Sequence, residues 1–149
     1  MTSYLKRPRV KWADYYPGDD LVDIISIDIY DNGTGGYFTA DNASWQGFGL
    51  GSYDAATGYF QGLLGVLDFA RTSGKKIAVD EWGATNKTLD ASDPANNEFF
   101  AAAVFDFLMA NRAHVEYEVY FDTPGRHQIY PPVEHNRRVS DAYLARWRP

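Results

Sequence analysis

The stretch "VDIISIDIYDN", residues 22–32, decides the fold. It is rich in isoleucine and carries acidic residues near its start and close to its end. Such an apolar run predicts a strand buried on both faces, as in a parallel sheet. Side chains alternate along a strand, so the polar residues share one face and the isoleucines the other. The polar face holds Ser26, Asp28 and Tyr30, and the isoleucine face holds Ile25, Ile27 and Ile29. We expect helices to cover the isoleucine face, while the polar face looks into a barrel or toward whatever replaces one.

A second strand is predicted in "KKIAVDEWGATN", residues 75–86, where an apolar run from Ile77 ends in two acids, a Trp and a Gly. Regular alternation places Glu81 on the same face as Ile77 and Val79. Asp80 is then expected on the opposite face, paired with a backbone group or a basic side chain of the surrounding layer. The adjacent acids at the strand end are the feature that a purely structural strand explains least well.

The remaining elements complete an alternating order. "HVEYEVYFD", residues 114–122, is a third strand by its Val, Tyr and Phe content. Apolar residues at helical spacing predict a helix over residues 53–72, which Gly74 ends. Asp93 and Pro94 are a good N-cap and first-position pair for a second helix, and a short last helix starts at about Ser140. The order β–α–β–α–β–α predicts a parallel sheet with right-handed crossovers. "PRVKW", residues 8–12, is a candidate for one more strand.

Composition places the chain among ordinary globular proteins. Its 149 residues fit one domain, 1–149, with 45% hydrophobic and 23% charged residues. A net charge of −6 argues against a nucleic-acid partner. The absence of cysteine excludes disulfides and thiolate metal sites, and it leaves the compartment undetermined. No apolar run approaches the ~20 residues of a membrane span, and the basic N-terminus lacks the apolar segment of a signal peptide.

Acids and aromatic residues coincide at the ends of the three predicted strands. In α/β folds, ligands bind where the carboxyl ends of the strands meet. The acids there are Asp28, Asp31, Asp80, Glu81 and Asp122, and the aromatic residues are Tyr30, Trp82 and Phe121. The combination suits a sugar, because carboxylates perform acid–base chemistry while ring faces stack on the C–H surfaces of a pyranose. For any single acid, capping a helix or pairing with a lysine is the alternative.

Three stretches together resemble a known family. "YYPGDDLVDIISIDIYDN" (15–32), "KKIAVDEWG" (75–83) and "VEYEVYFD" (115–122) are similar to the C-terminal part of TIM-barrel retaining glycoside hydrolases, most of all family 26, the β-mannanase and endo-glucanase type. The resemblance implies that the first two stretches are the sixth and seventh barrel strands. It also implies a partial (half) TIM barrel of three to four parallel strands, each followed by a helix and completed or covered by oligomerisation. Members of this family are commonly secreted.

The resemblance also implies a site. Glu81 corresponds to the catalytic nucleophile, and Tyr30 to a tyrosine that donates a hydrogen bond to it. Trp82 and Trp45 would line sugar subsites, with Trp45 in a long Gly-rich loop at 32–52 that is expected to be functional or mobile.

Further candidates have less specific roles. Asp28 and Asp31 would support the pocket or contact sugar hydroxyls, and Asp122 is a further candidate for contact with substrate. His127 either reaches a sugar hydroxyl or lies on the surface. No HExxH or paired-His spacing is present, so neither a catalytic metal nor a cofactor is expected.

One part of the retaining mechanism lacks a counterpart. Retaining hydrolysis uses two carboxyl groups about 5–5.5 Å apart. The family supplies the acid/base from its fourth barrel strand, and no segment before residue 15 offers an acid in that context. Three interpretations follow: an active hydrolase with a substitute acid, a carbohydrate-binding half-barrel, or a chain whose main property is assembly. A substitute would come from Asp28, Asp122 or Glu118, or from a second subunit. A homo-oligomer is expected in every case, because an open sheet has unpaired edges.

Overall fold

The computed structural model describes residues 11, 15–31, 38, 45–56 and 58–147. Within these ranges the strands are β1 (Ile24–Asp31), β2 (Ser52–Asp54), β3 (Tyr59–Gln61), β4 (Lys76–Ala84) and β5 (Val115–Tyr120). The α-helices are α1 (Gly62–Thr72), α2 (Glu98–Ala110) and α3 (Arg137–Trp147). A π-helical turn covers Trp45–Leu50, and a 3₁₀ turn over Glu134–Asn136 precedes α3. In the described part of the chain, no helix is both long and apolar enough to cross a bilayer.

A three-stranded parallel sheet organises the fold. Its order is β1–β4–β5, and both neighbouring pairs are parallel. The prediction of an α/β fold with a small parallel sheet is therefore confirmed. A separate antiparallel hairpin, β2–β3, precedes α1. Parallel strands align their carboxyl ends at one edge of the sheet, so the tips of β1, β4 and β5 meet there.

The predicted division of β1 into two faces is also confirmed. Ile25 and Ile29 are buried and Ile27 is half-buried, whereas Ser26 and Asp28 are exposed. The isoleucines belong to one hydrophobic core with residues of all three helices, among them Leu67, Phe100 and Val139. No helix among the described residues covers the polar side, which we call the open face. The open face carries Ser26, Asp28 and Tyr30 of β1 together with their register partners Ala78, Glu81 and Gly83 of β4.

A β-bulge in β4 overturns the predicted orientation of Glu81. Ile27 is in register with Val79, but the next residue, Asp28, is in register with Glu81. Asp80 is the extra residue, so regular alternation is interrupted and Glu81 lies opposite to Val79 rather than beside it. Asp80 does not turn into a surrounding layer either. It accepts a hydrogen bond of 2.8 Å from the Tyr117 hydroxyl, and Tyr117 is in register with Ala78 of the open face.

The first helix is shorter than its apolar pattern predicts. Residues 52–61 form the β2–β3 hairpin, and α1 begins only at Gly62. Tyr59 and Phe60 match helical spacing by chance, and the hairpin's cross-strand pairing takes precedence over that pattern. The predicted end is confirmed: Gly74 has φ +66°, which glycine adopts without a steric penalty. The amide of Lys75 reaches the Ala70 carbonyl at 2.8 Å, and together these features form a Schellman ending.

The starts of the other two helices differ from prediction. The N-cap of α2 is Asn97, whose side chain accepts from the backbone N–H groups of Phe99 and Phe100. The Asp93 carboxylate instead accepts from the Ala95 amide at 2.9 Å, closing a local turn ahead of the helix. The last helix begins at Arg137, three residues before the predicted start. Apart from Lys11, the candidate strand at 8–12 lies outside the described residues, as does most of the 32–52 loop.

Candidate functional site

The candidate site lies on the open face at the carboxyl ends of β1 and β4. Asp28 and Glu81 are register partners on neighbouring parallel strands. Adjacent strands lie about 4.8 Å apart, so two such side chains on one face are close neighbours. Asp80 joins them, because its hydrogen bond from Tyr117 places it on the same face. The resulting cluster brings three carboxyl groups together at one end of the sheet.

Glu81 is held by a specific donor. The Tyr30 hydroxyl donates a hydrogen bond of 2.7 Å to Glu81 Oε2, joining residues that are 51 positions apart in the chain. The expected hydrogen bond between these two side chains is therefore present. Burial raises the pKa of Tyr30 well above its usual value, and the bond to Glu81 raises it further. Tyr30 is accordingly a neutral donor that binds one carboxylate oxygen, Oε2, and not the other, Oε1.

Asp28 has a pKa above the usual value of an aspartate. Partial desolvation raises the pKa of Asp28 above its usual value, although the side chain is exposed, and the negative charges of Glu81 and then Asp80 raise it further. Two like charges at close range are not ionised independently, so one carboxyl of such a pair retains its proton to higher pH. The site thus places a carboxyl group of raised pKa, Asp28, beside Glu81.

His127 joins the site from the loop that follows β5. Its Nδ1 lies 2.8 Å from the carbonyl oxygen of Ala84, the last residue of β4. Its ring makes edge contacts with Tyr30 and Phe121, each with 5.4 Å between ring centroids. The half-buried His127 is therefore part of the site's wall rather than a freely exposed surface group.

Both tryptophans expected at sugar subsites lie in the hydrophobic core. Trp82 is 0% exposed and Trp45 is 4% exposed. The β4 bulge leaves Trp82 on the helix side of the sheet, where it packs against Tyr143 and Trp147 of α3. Trp45 contacts Phe99 and Phe100 of α2 edge-on. A Gly-rich surrounding sequence does not indicate exposure here, because the π-helical turn directs Trp45 inward.

Removing the Trp82 ring is expected to cost much of the stability of this protein. Trp82→Ala should lower the free energy of unfolding by about 3–5 kcal/mol, because it leaves a large cavity in a closed core. Urea denaturation measures the change. Tyr15→Ala is the matched control, since Tyr15 is 71% exposed, and its effect should stay within about 0.5 kcal/mol. Equal effects of the two substitutions would contradict the buried position of Trp82.

Asp31 connects the end of β1 to the start of α2. Its side chain accepts from the Phe38 amide at 3.1 Å and from Asn97 Nδ2 at 2.6 Å. Asn97 is also the N-cap of α2. The residue is buried, and burial raises its pKa from 3.8 to about 6. Asp31 is thus placed as a structural tie and not where it could contact a sugar hydroxyl.

The buried Asp31 carboxyl group should make the free energy of unfolding depend on pH. The folded chain holds the Asp31 proton more tightly than the unfolded chain. Protonated Asp31 therefore contributes fully to the free energy of unfolding below pH 4, and this contribution is lost as the pH rises through about 6. The gap between the two pKa values corresponds to roughly 3 kcal/mol. Denaturation experiments from pH 4 to 7 should therefore show that the free energy of unfolding of the native chain falls by about that amount relative to Asp31→Asn. The asparagine of the variant cannot titrate. A constant difference between the two proteins would contradict it.

Two further acids are placed away from the cluster. Glu118 lies on the helix side and accepts from the indole N–H groups of Trp82 and Trp147. It is therefore not positioned to serve as a substitute acid on the open face. Asp122 accepts from the backbone amides of Ile129 and Tyr130 at 2.7 and 3.3 Å, and so holds the loop after β5. Neither acid is brought together with Glu81.

Tyr117 is the open-face residue that sequence reasoning missed. It is 46% exposed, and it holds Asp80 through its hydroxyl. Alternation along "VEYEVY" could have placed it on one face with Val119, and opposite to Glu118. Its partner could not have been found in this way, because alternation along one strand does not show which residues of β4 and β5 are in register.

A cavity of about 390 Å³ lies beside the edge strand β5, and its lining includes Tyr120, Asp122, Tyr130 and Tyr143. Asp28 and Glu81 are not among its lining residues, so the acid cluster is an open surface rather than part of this cavity. Among the described residues, no group of three or more His, Cys, Asp or Glu side chains is arranged to hold a metal ion.

No protein-family model and no curated protein sequence matches the chain.

Proposed function

We propose that the protein is a glycoside hydrolase that cleaves β-linked polysaccharides of the mannan or glucan type by a retaining mechanism. The observation that carries the proposal is the acid cluster at the strand ends. There Tyr30 holds Glu81 through a 2.7 Å hydrogen bond, and Asp28 is the register partner of Glu81. The proposal rests on this pair of carboxyl groups together with the resemblance of the surrounding sequence to family 26 enzymes.

The first step would use Glu81 as the nucleophile. With Oε2 engaged by the Tyr30 hydroxyl, Oε1 attacks the anomeric carbon and forms a glycosyl–enzyme ester. The bond from that carbon to the leaving oxygen breaks at the same time. Because Tyr30 is a neutral donor, it supports the carboxylate without removing its charge.

Asp28 would supply and recover the proton. Its raised pKa extends the pH range over which it is protonated, and in that form it can donate to the departing oxygen and become charged. Water then attacks the anomeric carbon, Asp28 takes a proton from that water, and the sugar leaves Glu81. Neighbouring strands about 4.8 Å apart support the short carboxyl separation of retaining enzymes rather than the wider separation that inverting enzymes need.

The partial-barrel architecture belongs to the same proposal. In this view β1, β4 and β5 correspond to consecutive strands of a TIM barrel, and the open face corresponds to its interior. Support comes from the order of parallel strands, the helices on one side and the acids at the carboxyl ends.

The test is hydrolysis by the native chain. Mannan, a soluble cellulose derivative and mixed-linkage β-glucan would be assayed for reducing-sugar release, and NMR would follow the anomer formed first. Release from one of them with the β-anomer appearing first is the expected result. Cleavage that yields the α-anomer first would exclude Glu81 as a nucleophile. A folded chain that cleaves none of these polymers would contradict the proposed function.

Self-assembly is a second candidate, favoured by the apolar content of the open face. Ile24, Tyr117 and Val119 are 37%, 46% and 47% exposed. Within the described residues, β1 and β5 are sheet edges with no further strand paired to them. A second copy of the chain would cover these groups. Light scattering on the native chain and on Tyr117→Ser/Val119→Ser should then show an oligomer that the double substitution weakens, whereas a native monomer would exclude this candidate.

A further inference from the structure

We infer that His127 is a positioning residue of the Glu81 site, which holds the Tyr30 ring so that its hydroxyl stays on Glu81. The role of Tyr30 in this inference rests on the proposed function, but the contacts do not. They form a continuous chain from β4, through the imidazole and the phenol ring, to the carboxylate. His127 acts through Tyr30 in this arrangement and has no direct part in bond making.

The first link fixes the imidazole. A carbonyl oxygen only accepts hydrogen bonds, so the 2.8 Å contact with the Ala84 carbonyl requires a proton on Nδ1. The ring is therefore fixed in orientation and in tautomer. The loop that carries it is fixed as well: the Phe121 amide donates to the Trp82 carbonyl at 2.9 Å, and the Asn86 amide donates to the Arg126 carbonyl at 3.0 Å. The loop is thus anchored to Trp82 of β4 at its start and to Asn86, two residues after β4, next to His127.

The second link fixes the phenol. The rings of His127, Tyr30 and Phe121 contact one another edge-on, with centroid distances of 5.4 Å for both histidine pairs and 6.1 Å between Tyr30 and Phe121. Contacts of this geometry are favourable and restrict rotation of the rings. A half-buried tyrosine with two such neighbours has few alternative rotamers. Its hydroxyl therefore remains 2.7 Å from Glu81 Oε2.

Two properties of the His127 side chain are needed to hold Tyr30 in place: its ring and the N–H donor on that ring. A side chain without a ring would leave space beside Tyr30, and the phenol could rotate away from Glu81. A ring without Nδ1–H would lose its anchor to the Ala84 carbonyl and could shift with the loop. His127→Phe keeps the first property and loses the second, whereas His127→Ala loses both.

The experiment measures the Tyr30 hydroxyl directly by NMR on protein labelled with ¹³C at tyrosine Cζ. In a mixture of light and heavy water, a hydroxyl that exchanges slowly gives two Cζ signals, and one that exchanges quickly gives a single signal. Tyr30→Phe identifies the Tyr30 resonance. We expect two signals for the native chain and one for His127→Ala, corresponding to at least about tenfold faster exchange after the hydrogen bond loosens. His127→Phe should lie between them.

His114→Ala is the matched control, because His114 is also half-buried but precedes β5 at the opposite end of the sheet. It should leave the two Tyr30 signals unchanged. The inference is overturned if folded His127→Ala or His127→Phe keeps native exchange at Tyr30, or if His114→Ala accelerates it equally. A merely structural role for His127 would lower the unfolding midpoint and leave Tyr30 exchange as it is.

Kinetics give a second readout that depends on the proposed function. On a polysaccharide that the native chain cleaves, His127→Ala should lower kcat by about tenfold or more and change KM by less than about twofold. A change confined to KM would instead indicate contact with substrate and would overturn the positioning role. If the native chain cleaves no polymer, the proposed function fails, and the NMR comparison still decides whether His127 holds Tyr30.

Discussion

Replacing Glu81 by glutamine is expected to abolish polysaccharide cleavage. Glutamine has nearly the same shape as glutamate, and its amide oxygen can still accept the Tyr30 hydrogen bond, so the fold should be retained. The variant lacks the charged oxygen that would attack the anomeric carbon. Losing a covalent nucleophile should reduce turnover by roughly 10⁴-fold or more. Reducing-sugar release from the best polymer, measured on equal amounts of folded protein, gives the comparison.

Glu116→Gln is the matched control for this result. Glu116 is an exposed glutamate at the other end of the sheet, where it pairs with Lys76 at 2.6 Å. Its loss should leave turnover within about twofold, since exposed ion pairs contribute little to stability. Substantial cleavage by Glu81→Gln would exclude Glu81 as the nucleophile. An equal loss in Glu116→Gln would indicate a general effect on folding.

Asp28→Asn is expected to reduce polysaccharide cleavage by about 10²–10⁴-fold, the typical contribution of a general acid. The loss should depend on the leaving group. Dinitrophenolate leaves without being protonated. Formation of the glycosyl–enzyme from a dinitrophenyl glycoside should therefore be nearly unaffected by Asp28→Asn. A steady-state assay with the polymer and a burst assay with the activated glycoside separate the two steps. Equal losses with both substrates would indicate disturbed binding rather than a missing proton.

The pH profile gives an independent test of Asp28. Asp28 acts as an acid only while protonated, so turnover of the native chain should fall as the pH rises through its raised pKa. That alkaline decline should be absent from the residual activity of Asp28→Asn. If the polymer activity of Asp28→Asn equals that of the native chain, the proton comes from another group, such as one on a second subunit.

Much of the sheet could be predicted from the sequence. The isoleucine-rich run of β1 and the apolar run of β4 are long and unambiguous, and both are strands within a residue or two of the predicted bounds. Helix boundaries were less predictable. The pattern over 53–72 cannot show that residues 53–61 belong to a hairpin, because local spacing carries no information on cross-strand partners. In the same way, Asp93 fits an N-cap, but Asn97 is the residue that reaches the helix amides.

The candidate site was predictable in its composition but not in its orientation. Acids at strand ends identified Asp28 and Glu81, and the family resemblance indicated the Tyr30 donor. Trp82 was misassigned because period-two alternation fails at the bulge, which places Trp82 on the helix side together with Val79. Bulges depend on the pairing of two strands, and that pairing is settled only when the whole sheet forms.

The bulge in β4 has a consequence for how this strand can change in evolution. Losing or gaining one codon within a strand normally reverses every following side chain and ruins both the core and the site. Asp80 is an exception, since it is the residue without a partner in β1. Its deletion would leave Val79 opposite Ile27 and Glu81 opposite Asp28, with Trp82 still in the core. Among the residues of β4, Asp80 is thus the place where a lineage could lose one amino acid and keep Asp28 in register with Glu81.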